Sequence, residues 1–158
     1  MELENKIAIV TGGASGLGEA TARFLASQGA KVAVFDVQMD KAEAVAKDIG
    51  GIAVFCDVTS AESAEQAMQT AKEAHGLCGI AVNCAGIGNP GRIIGREGPM
   101  TLDFFNKVIQ VNLVGSFNIL RLAADQMKDR EANVDGERGV IISTASVAAF
   151  EGQIGQAA

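Results

Sequence analysis

Tryptophan and tyrosine are absent from these 158 residues, histidine occurs once and proline twice. Without tyrosine there is no phenol to take up a proton near neutral pH. The lone imidazole, His75, has no second ligand or carboxylate partner to make it catalytic, and its place before Gly76 predicts a helix end where it meets the last carbonyls. Cysteine is scarce as well. Cys56, Cys78 and Cys84 are too few and too irregularly spaced for a disulfide framework or a tetrahedral zinc site, so a reducing compartment and no metal are expected. Cys84 has no His or Lys beside it and reads as a small buried side chain. Lys and Arg number 13 against 19 acids, for a net charge of −6 without any basic block, which argues against nucleic acid or an anionic membrane as partner. No apolar run approaches membrane-spanning length. Met1 stands only a few residues before the first strand, which leaves no room for a leader peptide, and a cytoplasmic location is expected.

What is present is apolar sequence broken by glycine. A hydrophobic content of 48% over this length suits one α/β domain with a sizeable core. The chain turns on Ile7-Ala8-Ile9-Val10-Thr11-Gly12-Gly13-Ala14-Ser15-Gly16-Leu17-Gly18, which reads as strand, phosphate loop and helix, the helix running through Glu19 to Ser27. A strand that delivers a glycine-rich turn onto a helix start gathers free backbone N–H groups where the dipole favours negative charge, a setting for pyrophosphate. Gly12 permits the tight turn, Gly16 lets the backbone approach a ligand, and Gly18 lets helix and strand lie close.

The alternation continues. Lys31 to Phe35 is a second strand, closed by Asp36, and Asp40 with Glu43 predicts a capping box for the next helix. Ile52 to Cys56 is a third strand, followed by a helix that opens at Thr59 or Ser60 and turns Ala64, Ala67, Met68 and Ala71 to the core. A fourth strand, Ile80 to Val82, runs into Asn83-Cys84-Ala85-Gly86. Gly88 to Met100 reads as a long irregular loop, and Thr101 as the cap of a helix. A further helix is expected from about Asn112 to Met127, with Leu113, Phe117, Leu120 and Ala124 on one stripe. Lys128 to Arg138 reads as a charged surface loop, and Gly139 to Ser143 as a fifth strand. About five strands alternating with helices predict a parallel sheet with right-handed crossovers and helices on both faces.

Asp36 lies 18 residues beyond Gly18, where a carboxylate can accept both hydroxyls of an adenosine ribose. With neutral Val37 and Gln38 after it, this favours NAD over NADP; the bland alternative is an acid that merely ends a strand.

The Gly-x-x-x-Gly-x-Gly spacing from Gly12 to Gly18 resembles that of the short-chain dehydrogenase/reductase family. Within it, Asn83-Cys84-Ala85-Gly86-Ile87, Val111-Asn112-Leu113 and the run Arg138 to Gln153 look like the 3-hydroxyacyl-CoA dehydrogenase type 2 group. The resemblance implies a Rossmann doubly wound parallel sheet, of which this chain supplies the N-terminal part, and a homotetramer to which the helices from Thr101 to Met127 contribute. It implies NAD as cofactor, held by Gly12, Ser15, Gly16, Leu17, Gly18, Asp36, Asp57, Val58, Asn83, Cys84, Ala85 and Gly86. The alternative is that Asp57 serves only to start the next helix, and the two roles could coexist. Asn112 corresponds to an asparagine that helps hold a proton-relay water, a plain helix-junction cap being the alternative. Of two nearby serines, family spacing assigns catalysis to Ser146 and leaves Ser143 structural, although Ser146 alone reads as a turn residue. Gln153 falls on the substrate side.

The activity implied is hydride transfer between NAD and a secondary alcohol or ketone, with 3-hydroxyacyl-CoA going to 3-oxoacyl-CoA in fatty acid metabolism; hydroxysteroids and small alcohols are alternative substrates. The family's Tyr-x-x-x-Lys pair would begin immediately after Ala158. The expectation is therefore a single NAD-binding domain over 1–158 that is inactive alone, part of a longer enzyme. The alternative is a non-catalytic NAD-binding fragment or interaction module. A sheet ending at the fifth strand would leave an exposed edge and an uncovered helix stripe.

Overall fold

The computed structural model describes residues 2–158. Strands β1 (Ile7–Thr11), β2 (Lys31–Asp36), β3 (Ile52–Phe55) and β4 (Ile80–Asn83) alternate with helices α1 (Gly16–Ser27), α2 (Met39–Ile49) and α3 (Ala61–His75). A small hairpin, β5 (Ile94–Gly95) with β6 (Gly98–Pro99), then leads to α4 (Leu102–Ile109), a π-helical segment Gln110–Gly115, and α5 (Ser116–Lys128). Strand β7 (Val140–Ser143) and the short helix α6 (Ala148–Glu151) follow. The five long strands form one parallel sheet in the order β3-β2-β1-β4-β7.

Side chains alternate across this sheet, so each strand feeds two cores. Ala8, Val10, Val32, Val34, Ile80 and Val82 meet Ala22, Leu25, Ala42, Val45 and Ala46 from α1 and α2. Ile9, Ala33, Phe35, Val54 and Ala81 meet Ala64, Ala67, Met68 and Ala71 of α3, and Ile119, Ala123 and Met127 of α5, on the opposite face. The small α3 residues let that helix lie close to the sheet, and Phe35, fully buried, fills the space they leave. Strand order reverses between β1 and β4, which opens a crevice at their carboxyl ends, Thr11 and Asn83.

Five local expectations are corrected. Asp40 is not an N-cap: Asp36 Oδ1 accepts the Gln38 N–H at 2.9 Å, and Gln38 is the N-cap of α2, two residues earlier, which leaves Asp40 in the first turn. The stretch from Gly88 to Met100 is not wholly irregular, since Ile94 pairs with Pro99 and Gly95 with Gly98 around the Arg96-Glu97 turn. No separate helix begins at Asn112. Backbone at Ile109 (φ −60°, ψ −43°) and Gly115 (φ −62°, ψ −44°) is helical, so α4 runs unbroken through the π segment into α5. The buried face of α5 is Asn118, Ile119, Ala123 and Met127, while Leu113, Phe117 and Leu120 are exposed on the other side. Finally, His75 Nε2 is buried with no hydrogen-bond partner among the described residues, rather than meeting carbonyls of its helix end.

Ser60 and Thr101 cap α3 and α4 as expected, accepting N–H groups of Ser63 and Phe104. On its outer side β7 has no neighbour among the described residues, and Val140 and Ile142 are exposed there. No helix among the described residues is long and apolar enough to cross a membrane.

Candidate functional site

Two cavities meet at the carboxyl ends of the strands. One, of about 500 Å³, is lined by Gly12, Ser15 to Gly18, Asp36 to Gln38, Cys56 to Thr59, Cys84 to Ile87 and Val111. The other, of about 650 Å³, is lined by Asn83 to Asn89, Met100, Phe104, Val108, Asn112, Ser116, Thr144 to Ser146 and the segment from Gly155 to Ala158, among others. Cys84 to Ile87 are their common wall.

The first cavity is built around the turn after β1. Gly12 has φ +63°, and a Cβ there would stand 2.8 Å from the Ala85 amide nitrogen, so both backbone conformation and the approach of the β4 end require glycine. A Cβ on Gly18 would lie 2.1 Å from the Gly12 carbonyl oxygen, which shows that the third glycine lets α1 pack on the loop itself rather than on the strand. At Gly16 a Cβ would meet nothing within 4 Å; the position borders open groove. Ser15 occupies the N-cap of α1 without its side chain capping anything, unlike Ser60 and Thr101, so the N–H groups of the first turn have no side-chain acceptor.

Asp36 is buried at the end of β2. Its Oδ2 accepts the Ala14 N–H at 3.1 Å and its Oδ1 the Gln38 N–H at 2.9 Å, leaving each oxygen lone-pair capacity toward the groove. Asp57 Oδ1 accepts both the N–H and the hydroxyl of Thr59 and thus shapes the approach to α3. Buried Cys56 lies between these acids: burial, aided by Asp57 and Asp36, pushes its thiol up to about 12. Burial likewise raises Cys78 to about 12, so neither is a thiolate nucleophile.

The common wall is fixed from three sides. Thr11 Oγ1, buried at the end of β1, accepts the N–H groups of Cys84 and Ala85 at 3.2 and 3.1 Å. Ile87 is held by Asn112, whose Oδ1 accepts its N–H and whose Nδ2 donates to its carbonyl. Thr144 binds the Asn83 carbonyl through both its N–H and its hydroxyl. Asn83 Nδ2 donates to Ser143 Oγ at 3.3 Å and to the Ser116 carbonyl at 3.4 Å, while its Oδ1 is buried without a partner among the described residues.

A sequence model described as short chain dehydrogenase matches residues 6–158. The chain belongs to the short-chain dehydrogenase family. It is 48% identical over 160 residues to the 3-hydroxyacyl-CoA dehydrogenase type-2 of Drosophila melanogaster, covering 99% of this chain and 63% of that protein. The Homo sapiens protein of the same description is 48% identical over 156 residues, covering 96% of this chain and 60% of its own length. The crystal structure of 3-hydroxyacyl-CoA dehydrogenase type-2 from Mycobacterium avium superposes with a TM-score of 0.89 at 39% identity, covering 99% of this chain and 63% of that one. The chain thus spans about three fifths of the length of these relatives.

Family membership brings a nicotinamide cofactor, NAD or NADP, and a small-molecule substrate. The first cavity fits the dinucleotide on its own evidence: free N–H groups at the α1 start, open space at Gly16, and the Asp36 carboxylate at its edge. Every residue expected at the cofactor lines it except Asn83, which lines the second cavity with Ser146 and Asn112. Gln153 is set apart, in an adjoining cavity of about 530 Å³ with Arg92 and Ile93. Cys84 is half-buried at the wall rather than sealed in the core, because both cavities reach it. Ser143 is a structural acceptor for Asn83, whereas the Ser146 hydroxyl accepts only the Ala148 N–H and borders the cavity.

Sequence reading missed Thr11, whose signal was a polar side chain closing an apolar strand just before the glycines. It also missed Asn118, buried in α5, whose Nδ2 donates to the Val58 and Ser60 carbonyls and ties that helix to the cofactor side. No group of residues suited to hold a metal occurs among those described.

Proposed function

We propose that this protein is an NAD-dependent oxidoreductase that transfers hydride between nicotinamide and a secondary alcohol or ketone, oxidising 3-hydroxyacyl-CoA to 3-oxoacyl-CoA in cytoplasmic fatty acid metabolism. The observation that carries the cofactor choice is the Asp36 carboxylate at the groove edge, followed by neutral Val37 and Gln38. A ribose with free hydroxyls can donate to it, whereas a 2′-phosphate would meet a like charge with no cation beside it. The names of the 3-hydroxyacyl-CoA dehydrogenases that this chain resembles support the thioester.

The bound nicotinamide supplies the hydride acceptor. The N–H groups of Ser15 to Gly18 would hold the pyrophosphate, Asp57 and Val58 would border the adenine, and Asn83 to Gly86 the second ribose. Asn112 keeps that wall in place, and Ser146 donates to the substrate oxygen as its negative charge develops. Gln153 bounds the substrate from the adjoining cavity. With no tyrosine in these residues, the proton acceptor belongs to a part of the enzyme outside them. Residues 1–158 by themselves constitute one cofactor-binding domain without turnover. Exposed Leu113, Phe117 and Leu120 support a homotetramer assembled in part through α4 and α5.

The test is titration of the purified protein with NADH and NADPH at one ionic strength, together with an assay of 3-hydroxyacyl-CoA oxidation by the protein in its complete natural length. Tighter NADH binding and turnover of the thioester are expected. Equal affinities would overturn the cofactor choice, and absence of thioester turnover the substrate.

A further inference from the structure

Asn118 is 7% exposed on the buried face of α5, yet both polar atoms of its amide are engaged. Nδ2 donates to the Val58 carbonyl at 2.9 Å and to the Ser60 carbonyl at 3.2 Å, and Oδ1 accepts the Arg121 Nε–H at 3.0 Å. Arg121 Nη2 in turn donates to Glu65 Oε1 at 3.0 Å, so a brace runs from α3 through α5 to the turn that opens α3. The rest of that buried face, Ile119, Ala123 and Met127, is apolar, and packing alone does not call for an amide among them. An amide with its donors and its acceptor all taken holds one orientation.

What it holds is the peptide joining Val58 to Thr59. That peptide is gripped at both ends: Asn118 takes its carbonyl, and Asp57 Oδ1 accepts its N–H at 2.9 Å. The Asp57 N–H is fixed as well, by Ser63 Oγ at 2.9 Å. Two groups of the turn are left over. Asp57 Oδ2, an acceptor, and the Val58 N–H, a donor, bond to nothing among the described residues, and both residues line the cofactor cavity. An acceptor next to a donor on consecutive residues matches the Watson–Crick edge of adenine, whose 6-amino group donates and whose N1 accepts. The same two groups oppose hypoxanthine, whose 6-oxo group accepts and whose N1–H donates, because each would then stand unpaired against its like.

We propose that Asn118, oriented by Arg121, is a positioning residue for the adenine end of the cofactor: by fixing the Val58–Thr59 peptide it sets Asp57 and Val58 where they select adenine over hypoxanthine. Neither Asn118 nor Arg121 lines the cofactor cavity, so both act through the turn. This rests on the cofactor reading above, and deepens it by assigning base selectivity to a helix outside the groove.

The experiment titrates the protein in its complete natural length with NADH and with reduced nicotinamide hypoxanthine dinucleotide, followed by dihydronicotinamide fluorescence. The parent protein should bind NADH about tenfold more tightly. In Asn118→Leu that ratio should fall to about twofold or less, and in Arg121→Leu to an intermediate value. Both ligands meet the same protein, so a general loosening weakens them together and leaves the ratio as it was; an unchanged ratio in the variants overturns the positioning role. Arg121→Leu alters a half-exposed side chain and decides the question where the buried leucine prevents folding. Asp57→Ala supplies the cross-check. It should lower the ratio by itself, and adding Arg121→Leu should lower it no further, whereas a full additional drop places the action of Arg121 elsewhere and also overturns the proposal. If the parent protein binds NADH but shows no base preference, the adenine contact and the proposal fall while the nicotinamide cofactor stands. If it binds neither dinucleotide, the cofactor reading falls and the proposal with it.

Discussion

Asn112 grips Ile87 by both of its peptide groups: Oδ1 accepts the Ile87 N–H at 2.9 Å, and Nδ2 donates to the Ile87 carbonyl at 3.0 Å. Such a two-handed bond uses the whole amide, and no other side chain of similar size satisfies a donor and an acceptor on one residue at once. It comes from within the π segment, where a widened turn lets a side chain at an exposed position reach across to the wall between the two cavities. Asn112→Asp keeps the acceptor and loses the donor, whereas Asn112→Leu loses both. In the complete protein, kcat/KM is expected to fall in the order Asn, Asp, Leu, with about 1–2 kcal/mol of stability lost in the leucine variant. Steady-state kinetics with thermal denaturation check this; a fully active leucine variant would show that the wall needs no such hold.

Gly115 ends the same segment, and a Cβ there would lie 2.5 Å from Val58 Cγ2 and 3.0 Å from its Cβ. Val58 cannot retreat freely, since its carbonyl is bonded by Asn118. Gly115→Ala is therefore expected to cost about 1–3 kcal/mol through overpacking. Because the clash is with one side chain, Val58→Ala in the same molecule should recover part of the loss, which a double-mutant cycle by denaturant unfolding measures directly. Strictly additive destabilisation would place the cost of the alanine elsewhere.

How far the sequence carries the reader can be judged from these same residues. The alternation of strands with helices and the two-sided core follow from short continuous apolar runs and from small residues at helical spacing, as at Ala64, Ala67, Met68 and Ala71, all buried. The expectation of a cofactor groove rests on glycine spacing and on Asp36, which the structure gathers around one cavity. The π segment does not, because Gln110 to Gly115 holds nothing in its composition that favours a five-residue turn over a four-residue one. Nor does the burial of α5: Phe117 and Leu120 are as apolar as Ile119 and Ala123, and only the position of the sheet decides which set is covered. The Asn112 to Ile87 bond joins residues 25 apart, and spacing alone cannot pair an amide with a peptide group on another element.

Thiol chemistry separates the three cysteines. With Cys56 and Cys78 buried and raised to about 12, only half-buried Cys84 should react with a disulfide reagent at pH 8 in the native protein, and NAD should slow it because Cys84 lines the cofactor groove. One thiol per native chain and three after denaturation is the expected count. The linkage has a definite sign. Thiols whose folded pKa exceeds the ordinary 9.0 favour the folded state fully below pH 9.0, and this contribution is lost as pH rises toward about 12. Denaturation midpoints measured through that window should fall, and less steeply in Cys56→Ala.

The serine that ends β7 and the one that follows it, Ser143 and Ser146, should part in the same way. Ser146→Ala removes a hydroxyl that borders the cavity proposed for substrate, and in the complete protein its turnover should drop about 10²-fold with NAD affinity little changed. Ser143→Ala takes an acceptor from Asn83 Nδ2, whose Oδ1 already has no partner, so the expected effect is about 1 kcal/mol of stability and near-normal turnover. Reversed effects would move the active centre from Ser146 to Ser143.

On the proposed NAD preference, Asp36 joins cofactor choice to loop architecture, so a simple reversal of specificity is expected to fail. Its Oδ2 is the acceptor for Ala14 N–H within the phosphate loop, and its Oδ1 is the acceptor for Gln38 N–H at the start of α2. Asp36→Ala removes the charge that would repel a 2′-phosphate, but it also leaves both N–H groups without their carboxylate and loosens the loop that must hold the pyrophosphate. The expected result is NADH binding weaker by about tenfold or more, with NADPH binding left no tighter than NADH binding in the parent protein. Asp36→Asn keeps an acceptor oxygen and should retain more of the loop's hold, and so bind NADPH better than the alanine variant does. Adding Val37→Arg supplies the missing cation and should raise NADPH affinity further, whereas NADH, which has no 2′-phosphate, should gain nothing. Fluorescence titration of both nucleotides across these variants separates the two roles. If Asp36→Ala alone gave tight NADPH binding, the bond to Ala14 would be irrelevant to the phosphate loop and the carboxylate would act through charge alone.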